Sequence, residues 1–68
     1  MKAKVGDKVW FFVNHENTIK EAVVSSLEWD GVRVEWTEDG HPCDAFLFLD
    51  DIFPTREALC EYYRKIFE

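Results

Sequence analysis

His41, Cys43 and Asp44 lie within four residues of one another in this chain, with His15 and Cys60 elsewhere, and these are the side-chain types that bind zinc. The spacing argues against such a site. Paired ligands of the Cys-x-x-Cys kind are missing, and neighbouring strand residues point to opposite faces, so the ligands would not converge. A cysteine–histidine nucleophilic dyad meets the same objection and has no evident oxyanion hole. Asp50 and Asp51 are consecutive carboxylates, but neighbours in sequence seldom face one another, and acids just before a helix start are favoured electrostatically. The three glycines, Gly6, Gly31 and Gly40, are isolated in turns, so no phosphate-binding loop exists. The chain is expected to be non-catalytic, with no metal and no cofactor.

Aromatic residues are the stronger lead. The chain has eleven (three Trp, two Tyr, six Phe), and at 68 residues it has room for one domain with one modest core, spanning 1–68. Such a chain can hardly bury both faces of every strand. Trp10 and Phe12 share one face of the first strand, Trp29 stands beside a turn, and Glu28, Asp30, Glu38 and Asp39 occupy neighbouring turns. These seven residues are the expected binding site: an aromatic platform rimmed by carboxylates, suited to an Arg- or Lys-rich segment through cation–π contact and ion pairing.

The charge distribution agrees. The formal net charge is −6, and ten acidic residues between Glu21 and Glu57 face only Arg33 and Arg56. An acidic middle repels phosphates, which disfavours nucleic acid and favours a protein partner with a basic surface. No signal-peptide core and no apolar run near 18 residues is present, so the expected location is cytoplasmic, with no membrane span and both cysteines reduced. A disulfide from the last strand to the helix is the alternative.

The elements that must carry these side chains follow from periodicity. Val5-Gly6-Asp7 is a turn signal before Lys8–Val13, a run rich in aromatic and β-branched residues that predicts a strand. Asn14–Thr18 is a polar connection. Ile19–Trp29 predicts a second strand in which apolar parity breaks after Val24, and a bulge near Ser25-Ser26 would return Leu27 to the core. Asp30-Gly31 signals a tight turn before Val32–Trp36, whose alternation sets Val32, Val34 and Trp36 inward. After the turn at 37–42, Cys43–Leu49 predicts a fourth strand apolar on both faces. One face, Phe46 and Phe48, needs cover other than its own sheet.

The helix is the expected cover. Pro54 ends the extended chain, Thr55 is a suitable N-cap, and Leu59, Tyr62, Tyr63 and Ile66 form one stripe. Pro54 and Leu59 are also spaced for a hydrophobic staple around that cap. Glu57 in the first turn and Arg64 and Lys65 in the last complement the helix dipole.

The Gly6-Asp7-Lys8-Val9 opening, the short strands with tight turns and the closing segment together resemble the SH3-like barrels, including Tudor-like and KOW-like modules. The tail Asp51-Ile52-Phe53-Pro54-Thr55-Arg56-Glu57-Ala58-Leu59 is similar to the endings of small bacterial and phage-borne proteins built as a small barrel with a C-terminal helix. The chain lacks the glycine-centred basic loop of the KOW module. The resemblance implies a mainly β fold: an SH3-like antiparallel barrel of four or five strands over about 5–52, closed by one helix over about 55–67. It implies a binding module, such as an inhibitor or adaptor that blocks a factor through its basic surface. The alternatives are a nucleic-acid-binding barrel, an acidic DNA-mimicking inhibitor, and a structural domain that self-associates; monomer and homodimer both remain open.

Overall fold

A computed structural model describes residues 2–67, with only the backbone at 66 and 67. It contains four antiparallel strands, β1 (Lys8–Val13), β2 (Thr18–Leu27), β3 (Gly31–Glu38) and β4 (His41–Phe48). They form one open sheet in the order β1-β2-β3-β4. A 3-10 turn, Leu49–Asp51, leads to one helix, α1 (Arg56–Phe67).

Glycine and a displaced register shape the sheet. Lys4 carbonyl accepts from the Asp7 N–H (3.0 Å), and Gly6 takes φ 95°, the geometry of a tight turn that needs glycine at its third position. Gly6 N–H then donates to the Val24 carbonyl (2.8 Å) while Asp7 carbonyl accepts from Val24 N–H (2.9 Å), so two residues oppose one in a glycine bulge. On the other side of β2 the pairing with β3 slips between Val24 and Ser26, and Ser25 Oγ donates to the Arg33 carbonyl (3.1 Å). The expected bulge is present, and it bends β2 at Val24. Leu27 nevertheless remains 57% exposed, because it sits on the last rung of β2, past the end of the core.

Curling brings Val9, Phe11, Ala22, Val24, Val32 and Val34 together on the inner face. Ile52 covers them: after β4 the chain crosses this face and reaches the opposite edge of the sheet. There Trp10 and Phe53 exchange both main-chain hydrogen bonds at 2.9 Å. That bridge decides where the helix goes. α1 starts beside β1, Thr55 Oγ1 accepts from Ala58 N–H (3.0 Å) as the cap, and Leu59 is buried.

The expectation that α1 covers Phe46 and Phe48 is therefore corrected. The helix packs on β1, where Tyr63 meets Phe12 (5.1 Å between ring centres) and Phe53 meets Tyr62 (5.3 Å). Measured along the sheet, β4 lies three strand spacings away, about 14 Å, and Phe46 and Phe48 are on its outer face. The side chain of Ile66, the fourth member of the expected stripe, lies outside the described residues.

Two turn readings also shift. The β2–β3 reversal is centred on Trp29-Asp30, and Gly31 belongs to β3, where it is buried. It is glycine because β4 passes too close for a side chain: a Cβ would lie 2.7 Å from Phe46 Cζ and against the Leu47 carbonyl oxygen. The β3–β4 reversal is a two-residue turn, Asp39-Gly40, with φ 51° and 78°, the mirror-image turn that matches strand twist.

Gly31→Ala should cost about 1–3 kcal/mol through overpacking, more than the roughly 1 kcal/mol expected for Thr55→Ala, as measured by urea unfolding. The reverse ranking would contradict this packing. Burial raises the Tyr63 hydroxyl above its ordinary value of 10.0, with Asp51 and Tyr62 adding to the shift. The unfolded chain then loses this proton first as pH rises, so stability should begin to fall as pH passes the unfolded value, about 10. Tyr63→Phe should remove that part of the alkaline decline.

Candidate binding surface

The β2–β3 turn presents Trp29 at its tip. The residue is 98% exposed, with Glu28 and Asp30 on either side in the chain. Glu28 is held by Arg33, whose Nε lies 3.3 Å from Glu28 Oε2 while its Nη1 lies 3.4 Å from Asp44 Oδ2. Around this end of the sheet stand further exposed apolar residues: Leu27, Leu49 and Phe48, the last 53% exposed. Phe48 pairs with Gly31 across the β3–β4 ladder, and its ring meets Phe46 edge-on at 5.2 Å. Asp50 and Asp51 follow in the 3-10 turn. Exposed rings and carboxylates therefore stand at this end of the sheet, Trp29, Glu28 and Asp30 among them.

The other expected site residues lie elsewhere. Phe12 is half-buried beneath Tyr63, and Trp10 is half-buried on the strand edge that Phe53 occupies. Glu38 and Asp39 are at the far end of β3, about 23 Å from Gly31 at the usual rise per residue.

Glu38 is engaged there in a second constellation. Its carboxylate accepts from the Trp36 indole N–H (3.1 Å) and from Lys20 Nζ. Lys20, whose side chain is only 14% exposed, also pairs with Glu16 at 3.0 Å and lies 5.8 Å from the centre of the Trp36 ring. That hydrogen bond holds the Glu16 carboxyl below its ordinary value. Glu16, Lys20 and Trp36 border an open cleft of about 350 Å³ that also touches Phe11, Ala45 and Leu47. Its lysine is already satisfied by two carboxylates, so it offers no free cation.

Phe46, Phe48, Leu27 and Leu49 are the surface residues that sequence reasoning did not place in the site. For Phe46 and Phe48 the signal is the doubly apolar pattern of β4, a pattern that reads the same whether or not the helix covers it. Among the described residues no group of His, Cys, Asp or Glu converges to hold a metal ion. Both cysteines are free thiols. Among those residues, too, no helix is long and apolar enough to cross a membrane. No family model, curated protein or solved structure matches the chain.

Trp29→Ala should change stability by less than about 0.5 kcal/mol, because the ring touches no core. Thermal or urea unfolding checks this. In single-tryptophan variants, acrylamide should quench Trp29 far more than Trp36, and comparable quenching would contradict the exposure difference.

Proposed function

We propose that this protein is a non-catalytic protein-interaction module on an SH3-like small barrel, which takes a basic segment of a partner protein at the Trp29 end of its sheet. The observation that carries this reading is the nearly complete exposure of Trp29 on a tight turn between two carboxylates. An indole in that position offers its face to an Arg or Lys head group, and the flanking charge strengthens the attraction. Exposed Phe48 on the outer face, and Leu27 and Leu49 around Val32 on the inner one, offer further apolar surface at this end of the sheet.

The SH3-like assignment is supported by the path of the chain. A short helical turn carries it from the last strand across the inner face, and Phe53 adds to the outer edge of β1 as the beginning of a fifth strand. The acidic surface favours a basic protein over nucleic acid, and electrostatic steering would set the association rate while the aromatic contacts set residence time. A cytoplasmic role as a bacterial or phage-borne inhibitor or adaptor is consistent with the similarity of the Ile52–Leu59 segment.

An array of short peptides graded in Arg and Lys content tests the reading. Binding should rise with basic content and weaken as salt is raised. Trp29→Ala should lower affinity by roughly 30-fold, the loss typical of a hot-spot residue. Indifference to peptide charge, or undiminished binding by Trp29→Ala, would refute the module as proposed.

A further inference from the structure

The two edges of the sheet are treated differently by the fold. At β1, Trp10 is paired with Phe53 and α1 packs against the strand. Along the outer side of β4 no described residue pairs. The two-residue turn makes Glu38 and His41 the closing hydrogen-bonded pair, so His41, Cys43, Ala45 and Leu47 turn their main-chain groups toward β3. Pro42, Asp44, Phe46 and Phe48 turn theirs outward. Pro42 has no N–H, and the Phe48 carbonyl caps the 3-10 turn that follows, which leaves the N–H groups of Asp44, Phe46 and Phe48 and the carbonyls of Asp44 and Phe46 as a free row, without a backbone partner among the described residues. The β3–β4 register is unbroken from Gly31↔Phe48 to Glu38↔His41, so no bulge twists this edge away, and it carries no lysine.

We propose that the β4 edge receives an extended basic segment of a partner protein as an added antiparallel strand. This rests on the reading of the Trp29 end as the recognition surface and names how the segment lies on it. Asp44, Phe46 and Phe48 also share the outer face, so every second residue of the incoming strand meets one of them. In antiparallel pairing the order is fixed: an apolar residue at Phe48, a second apolar residue two places on at Phe46, then a cation at Asp44. Asp44 lies directly across from Glu35, and both line an open depression of about 620 Å³. Like charges placed opposite one another are unfavourable, and an incoming Arg or Lys relieves them beyond what Arg33 does at 3.4 Å. A second copy of the chain would instead bring its own net charge of −6 against the same carboxylates.

The probe is a capped peptide, Arg-Ile-Thr-Val-Thr-Arg-Ser, whose first residue falls past Phe48 toward the Trp29 turn, with the reversed-order peptide as control, followed by amide hydrogen exchange. In the free protein the Asp44, Phe46 and Phe48 amides should exchange rapidly while those of Cys43, Ala45 and Leu47 are protected. At saturating peptide the three outward amides should gain at least about tenfold protection, and the reversed peptide should bind more weakly. Asp44→Pro, which removes the outward donor, should weaken binding by about tenfold more than Asp44→Asn, which keeps it. Peptide binding that needs Trp29 but leaves the three amides unprotected overturns the added strand and leaves the proposed function standing. No binding of any basic peptide overturns both. Protection that appears without peptide and tracks dimer formation in sedimentation replaces the basic strand by a second copy.

Discussion

A sheet of four short strands buries its inner face only if it curls, and here the curl is set at Val24. That residue exchanges main-chain hydrogen bonds with Gly6 and Asp7 on one side, and beside it the pairing to β3 slips by one residue. Bulges on both flanks of one residue bend β2 sharply and increase the local twist. Val9, Ala22, Val24, Val32 and Val34 can then meet around a single centre, and the chain leaving β4 can cross it with Ile52. The Trp10–Phe53 bridge and the position of α1 both follow from that crossing.

Once α1 is committed to the β1 edge, the rest of the surface is determined by what it leaves uncovered. A 12-residue helix can shield one edge of so small a sheet, and the rings of Phe12, Phe53, Tyr62 and Tyr63 interlock beneath it. β4, with two phenylalanines facing outward, receives no such cover. The outcome is a molecule with one edge bridged at Trp10 and packed by α1 and, among the described residues, one left open, and the open edge adjoins the Trp29 turn and its carboxylates. The proposed function rests on this asymmetry.

Several elements were legible in the residues because their signals are local. Lys8–Val13 could only be a strand, the break in parity after Val24 required a bulge, and Thr55 after Pro54 had to begin a helix. Gly31 misled because glycine serves two purposes: it signals a turn by tolerating positive φ, but here it admits the Phe46 ring and the Leu47 carbonyl. At the candidate surface, the exposure of Trp29 between Glu28 and Asp30 was legible, since a tryptophan at the tip of a tight turn lies away from the core. Phe12 was not, because its cover comes from Tyr63, more than 50 positions along the chain.

The sequence by itself determined the strands, the bulge, the capped helix and the acidic middle, since each depends on residues within a few positions of one another. Only the tertiary structure decided which edge the helix seals, that Glu38 is taken up by Trp36 and Lys20, and that Phe46 and Phe48 stay outside. Those outcomes depend on where the chain crosses the sheet. An apolar strand face reads the same in sequence whether a helix lies over it or not, because its cover is supplied by residues distant in the chain.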